Sequence, residues 1–185
     1  MLKKMLFFGF ILGSVAAYAQ VAPASSGGNS SLWVGGEFSN FDPDFSPHPR
    51  LNGIGVFGDF NVTAKLGVEG EARWLHWSGA GGQTQSDYLG GVKYRILKFH
   101  NLSISPKFLL GGVWIDYPVA VDASGSYFAY APGVIGDYRL TRRLSVRGDY
   151  EYQILPSAPG LGGPSHGLTP NGFSVGVAYR LMGAR

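Results

Sequence analysis

Two side chains stand at a spacing that suits nucleophilic catalysis. His76 and Ser78 lie two residues apart, on one face of an extended run, where the histidine could take the serine proton. That chemistry also needs an acid to orient the histidine. No acid is placed on that face of a neighbouring run, because Asp87 falls with the opposite set. The plainer reading is a histidine beside a loop serine, and no catalytic residue is assigned. The other histidines, His48, His100 and His166, sit on three separate connections, and with no cysteine in the chain a metal site has no ligand pattern to rest on. Gly79-Ala80-Gly81-Gly82 and Gly160-Leu161-Gly162-Gly163 are not followed by a helix whose N-terminus could face a phosphate, so they read as loops. No cofactor is implied.

The charges themselves follow a rule. In the stretch 144–154, Leu144, Val146, Gly148, Tyr150, Tyr152 and Ile154 occupy one parity, and Ser145, Arg147, Asp149, Glu151 and Gln153 the other. This is the strand period of two, with one apolar and one polar face. The stretch 66–74 repeats it, setting Leu66, Val68, Gly70, Ala72 and Trp74 against Gly67, Glu69, Glu71 and Arg73. On the polar parity of the whole chain stand Glu37, Asp59, Glu69, Glu71, Asp87, Asp137, Asp149 and Glu151, with Arg73, Lys93, Arg95, Lys107, Arg139, Arg147 and Arg180. Eight acids against seven bases suit mutual pairing in a closed space.

The elements that carry these residues can be marked as eight runs: Leu32–Phe41, Leu51–Val62, Lys65–Trp77, Gln85–Leu97, Leu102–Ile115, Tyr127–Leu140, Leu144–Leu155 and Asn171–Leu181. Their connections alternate between long Gly, Pro and Ser-rich segments (Asp42–Arg50, Ser78–Thr84, Asp116–Ser126, Pro156–Pro170) and tight ones (Thr63–Ala64, Lys98–Asn101, Thr141–Arg143). Long and short connections therefore segregate to opposite ends. An even-numbered antiparallel meander with that asymmetry has the layout of an eight-stranded up-and-down transmembrane β-barrel, and strands of about 10 residues suffice to cross a bilayer.

Composition agrees. Of 185 residues, 29 are Gly, 45% are hydrophobic and only 15% are charged, which argues against disorder and against a salt-bridged helical bundle. Residues 1–19 have the form of a secretory signal peptide: Lys3 and Lys4, an apolar Met5 to Gly13, and Ala17-Tyr18-Ala19 as the cleavage site. Its removal lowers the formal charge from +3 to +1, which leaves no case for nucleic-acid binding. Residues 20–31 read as a flexible tail, 32–181 as the barrel and 182–185 as an extension.

Alternation alone does not say which face is inside. A secreted lipocalin-like carrier of an apolar ligand would show the same period with its charges outward. Besides the charge balance and the signal peptide, aromatic residues favour the inverted arrangement. Phe38, Phe60, Trp74, Tyr88, Trp114, Phe128, Tyr138, Tyr152, Phe173 and Tyr179 recur near strand ends on the apolar face, as in the girdles that sit at lipid–water boundaries.

The last strand carries a resemblance. Ser174-Val175-Gly176-Val177-Ala178-Tyr179-Arg180-Leu181 resembles the outer-membrane β-signal, with Gly176 and Tyr179 in place and Leu181 where the terminal aromatic usually stands. With Arg147-Gly148-Asp149-Tyr150-Glu151-Tyr152-Gln153 before it, the chain is similar to the outer-membrane protein β-barrel domain family over nearly all of Leu32–Leu181, including the transmembrane domain of outer-membrane protein A. The resemblance implies a bacterial outer-membrane location, periplasmic turns and extracellular loops. Its implied partners are outer-membrane lipids and lipopolysaccharide, and the assembly machinery that reads the β-signal. His76-Trp77-Ser78 resembles the His-x-Ser pair of lipid A deacylases, although the Asn that accompanies it in that family is absent after Ser78.

The expected function is non-enzymatic: a barrel whose polar lumen is filled by side chains, structural or surface-presenting, with the loop Pro156–Pro170 as the best place for an extracellular ligand. A small gated channel is an alternative, in which pairs such as Glu71 with Arg73 or Arg147 with Glu151 exchange partners; the lipid A enzyme and the soluble carrier are the others.

Overall fold

The computed structural model describes residues 30–44, 50–77, 82–116, 124–158 and 167–183. Its strands are β1 (Ser31–Asp42), β2 (Leu51–Asn61), β3 (Leu66–His76), β4 (Thr84–Tyr94), β5 (Leu97–Phe99), β6 (Leu102–Asp116), β7 (Gly125–Arg139), β8 (Leu144–Tyr152) and β9 (Asn171–Gly183). All pairings are antiparallel, β1 pairs with β9 and β4 pairs with β6, so eight strands close into a barrel without an edge. The ninth, β5, is a spur that pairs only with Leu102–Ile104 of β6.

The register sets the size of the cylinder. From Gly36 the paired residues run through Val56, Ala72, Tyr88 and Gly112 to Phe128 one way, and through Val177 and Val146 to Tyr138 the other, ten residues further along β7. Eight strands about 4.8 Å apart with a stagger of ten tilt by about 40° and enclose a backbone radius of about 8 Å. Such a bore holds side chains and little else.

Two of the tight turns use one device. Thr63 Oγ1 accepts hydrogen bonds from the backbone N–H groups of Lys65 (3.2 Å) and Leu66 (2.9 Å), and Thr141 Oγ1 from those of Arg143 (3.2 Å) and Leu144 (3.0 Å). The hydroxyl satisfies donors that the narrow turn would leave free. At the β4–β6 seam, inward glycines let the backbones approach. A Cβ on Gly111 would meet the Tyr88 carbonyl oxygen at 2.0 Å, and one on Gly91 the Phe108 oxygen at 2.1 Å.

The faces are sorted as an inverted barrel. Asp149 and Lys93 are 4% and 5% exposed, whereas Ile54 and Val175 are 65% and 62% exposed. The lipocalin-like alternative, with charges outward, is therefore not the arrangement this chain adopts. The structure departs from the expected runs at several ends: the seventh stops as a strand at Tyr152 instead of Leu155, with Ile154 and Leu155 in isolated bridges to Tyr130 and Leu168, and the sixth begins at Gly125. The fourth run breaks at Arg95 and Ile96, because β3 offers no strand partner beyond Leu66 and the chain then pairs with β6 alone. Met182 and Gly183, expected in an extension, continue β9 against Leu32 and Ser31, past a register shift between Leu32 and Trp33. Ser31, expected in the tail, begins β1. The expected signal peptide, Ser78, His48, His166 and most of the last long loop lie outside the described residues.

Candidate functional site: the charged lumen

Inward parity on the strands converges the charged side chains on the axis. In the upper layer, nearer the long loops, the fully buried Arg73 of β3 meets Asp87 of β4 and Glu151 of β8, each at 3.3 Å, Glu37 of β1 at 3.5 Å, and Glu71 beside it. Phe41 lies against its guanidinium on the loop side, 4.2 Å from carbon to ring centroid. Gln85 and Gln153 donate to Asp87 at 2.9 Å each, and Gln153 also to Glu151 at 3.0 Å. In the middle layer Lys107 Nζ touches Glu69 (3.4 Å), Glu71 (3.0 Å), Asp149 (2.5 Å) and Glu151 (2.9 Å). In the lower layer Arg147 binds Asp137 (2.9 Å), Glu69 (3.2 Å) and Asp59, over the ring of Phe57 at 4.0 Å; Lys93 binds Asp59 at 2.6 Å.

Thus four cations hold eight carboxylates, and the twelve side chains together come from β1, β2, β3, β4, β6, β7 and β8. Glu69, Glu71 and Asp149 carry oxygens within 4.8 Å of one another, a spacing a metal ion could use. Lys107 Nζ reaches all three and takes the place of such a cation.

Three expected members belong elsewhere. Arg139 is exposed and Arg95 and Arg180 are only half-buried, at the turn end of the barrel, where no carboxylate among the described residues lies in ion-pair range. Their parity is inward, but they stand past the level at which the wall excludes water. Arg147 and Glu151, expected as an exchanging pair, have separate partners: Glu151 goes to Arg73 and Lys107. The Glu71–Arg73 pair is present.

Above the ionic layers the interior turns apolar. Phe41, Leu51 and Leu75 pack together with Trp77 against them, and Leu89, Leu109, Val113, Ile115, Ala129, Ala131, Leu155, Ala158 and Leu168 form a second cluster. The sequence reading missed these inward apolar residues. Their signal was there: Leu75, Leu109, Val113 and Ile115 share parity with Arg73 and Lys107 but lie toward the long loops.

On the outer face Trp74, Tyr88, Trp114, Phe128 and Tyr152 stand toward the loop end. Tyr88 makes edge contacts with Trp74 (6.1 Å) and Trp114 (5.3 Å) and accepts a hydrogen bond from Trp74 Nε1 at 3.1 Å. Phe60, Tyr138 and Tyr179 stand toward the turn end, where Arg143 donates to the Tyr179 hydroxyl at 3.2 Å. Phe173 stacks on Tyr150 with centroids 4.7 Å apart. Phe38 is not at an end: it lies mid-strand in β1, between Ile54 and Val175. Tyr94 and Tyr130 join the outward set, and Tyr130 meets Phe128 edge-on at 5.3 Å. Of the expected insertion signal, Gly176 faces inward opposite Glu37, where a Cβ would come within 2.6 Å of the Gly36 oxygen, and Leu181 is exposed. His76 ends β3 on the outward parity, while Asp87 is engaged inside with Arg73.

A closed antiparallel wall, greasy outside and ionic inside, defines a transmembrane β-barrel, because hydrocarbon tolerates no open strand edge. The chain belongs to the outer membrane protein beta-barrel domain family, whose model matches residues 6–180. It is a protein of the bacterial outer membrane, in contact with its lipids. Among solved structures it is similar to OprG of Pseudomonas aeruginosa (15% identity, TM-score 0.60, covering 85% of this chain and 98% of that one). It is also similar to Neisserial surface protein A (11%, TM-score 0.58, 80% and 96%) and to Ail, the attachment invasion locus protein of Yersinia pestis (16%, TM-score 0.53, 83% and 99%). A search of curated proteins finds no match. At these identities the likeness concerns the fold.

Proposed function

We propose that this chain is a non-enzymatic, plugged barrel that works at its surface: a rigid wall that presents the long connections after β1, β3, β6 and β8. The observation that carries this is the lumen itself, where twelve charged side chains cross-brace seven strands beneath an apolar cap. A bore so filled leaves the rims as the places of contact, and loops on rigid scaffolds carry specificity. Two structural neighbours, one named a surface protein and the other an attachment invasion locus protein, fit such a role. Residues 1–19 serve as the export signal in this reading, and Ser174–Leu181 as the segment the outer-membrane assembly machinery reads.

Planar bilayers give the direct test: purified barrel should show no steady current, and a steady open conductance at neutral pH would sink the reading. Mass spectrometry of lipid A from cells with and without the protein tests the enzymatic alternative, and an unchanged profile is expected. A second reading, slow cation conduction by partner exchange, draws support from Lys107, which already touches four carboxylates. It would show as brief cation-selective openings that Lys107→Gln makes more frequent.

A further inference from the structure

At the turn end the lumen opens into a vestibule of about 320 Å³, lined by Trp33, Arg95, Lys98, Arg139 and Arg180 among others. Arg139 and Arg180 place their guanidinium carbons 5.9 and 5.8 Å from the centroid of the Trp33 ring. Backbone bonds anchor three of the cations: Arg95 N–H donates to the Lys65 carbonyl (2.7 Å), Arg139 N–H to Asn101 (2.9 Å) and Arg180 N–H to Arg143 (2.8 Å). The nearest acids are already taken, Asp59 by Lys93 and Arg147, and Asp137 by Arg147. Among the described residues no carboxylate pairs with any of the four cations, and Arg95 Nε is buried without a hydrogen-bond partner.

Four like charges held in one concavity, without a carboxylate partner among the described residues, focus a positive field. Guanidinium groups match the oxygens of an oxyanion in a two-pronged geometry, and a phosphate group offers such oxygens both in a monoester dianion and in a phosphodiester monoanion. The short-turn rim of an outer-membrane barrel faces the periplasm, level with the inner leaflet's headgroups. The outer side of the same rim is apolar, with Leu102, Tyr138 and Leu140 exposed. We propose that this vestibule is a binding site for a phosphate group, carried by a soluble phosphate ester or by an anionic phospholipid headgroup.

The test has two arms on the full mature barrel. Calorimetry in zwitterionic micelles uses glycerol phosphate as the probe. Native mass spectrometry on barrels released from phosphatidylcholine nanodiscs doped with phosphatidylglycerol reads lipid retention. Saturable one-to-one binding in the first arm alone assigns a soluble ester, and selective phosphatidylglycerol retention assigns a headgroup. In either case the Arg139→Gln/Arg180→Gln pair should weaken binding or retention at least tenfold, while Arg50→Gln at the opposite mouth leaves it unchanged. Heat-modifiable gel mobility reports that each variant is folded. Lys98→Gln, in the exposed spur β5, is an independent variant with an expected loss of several-fold. Absence of saturable binding in both arms, chloride competing at equal concentration, or wild-type affinity in the folded variants would overturn the proposal.

Discussion

A buried charge is worth what its partners make it worth, and that separates residues which the sequence pattern groups together. Arg147 is 1% exposed and holds Asp59, Glu69 and Asp137. Removing its charge leaves Asp137 without a partner, Asp59 to Lys93 alone and Glu69 to the two lysines, so Arg147→Gln should cost about 3–5 kcal/mol of stability in urea titrations of the micelle-bound barrel. Arg180→Gln, at the wetted rim, should cost no more than about 1 kcal/mol. Equal losses would mean that the two arginines share one environment. Parity explains why the sequence could not tell them apart: Arg95, Arg139 and Arg180 have the inward parity of the ionic core, but a period of two carries no information on depth. On the lipid face, Tyr150 packs on Phe173 beside Val134. Tyr150→Arg puts a cation near the bilayer midplane, at about 2–4 kcal/mol, and should lower the yield of heat-modifiable barrel.

Strands and turns were the most legible level, because each is written in local chemistry. Alternation over about ten residues named all eight barrel strands, and turn residues named their ends to within a few residues. The misplaced details are those set by a neighbour distant in sequence. The spur β5 exists because β3 runs out at Leu66, and β9 runs on to Gly183 because Ser31 is there to pair with it. The two threonine turns give a prediction at this level. Thr63→Ala and Thr141→Ala each free two backbone donors and should each lower stability by about 1 kcal/mol, additively, since they cap different hairpins. A coupled loss in the double variant would show that the turns form one unit. The β4–β6 seam is less forgiving. Gly111→Val drives a side chain into the Tyr88 carbonyl, which a Cβ alone would meet at 2.0 Å. Assembly of that variant should fail outright, as a loss of the compact, heat-modifiable band.

Taken as a whole, the molecule is a cylinder blocked at two levels by different physics. Toward the loops the lumen is closed by packed apolar side chains, Phe41 and Leu75 among them, and below that by the braced charges of Arg73 and Lys107. Phe41 belongs to both, since its ring lies against the Arg73 guanidinium. Water must cross an apolar constriction and then a network in which every cation has at least two carboxylates. Breaking one level therefore leaves the other shut. Phe41→Ala should open the cap yet carry no steady current, and Arg73→Gln should loosen the charges beneath an intact cap with the same result. The double variant, checked for folding by its gel mobility, should conduct. A steady current in either folded single variant would show that one level alone seals the barrel, and silence in the folded double variant would place the block lower, at Lys107 and Arg147.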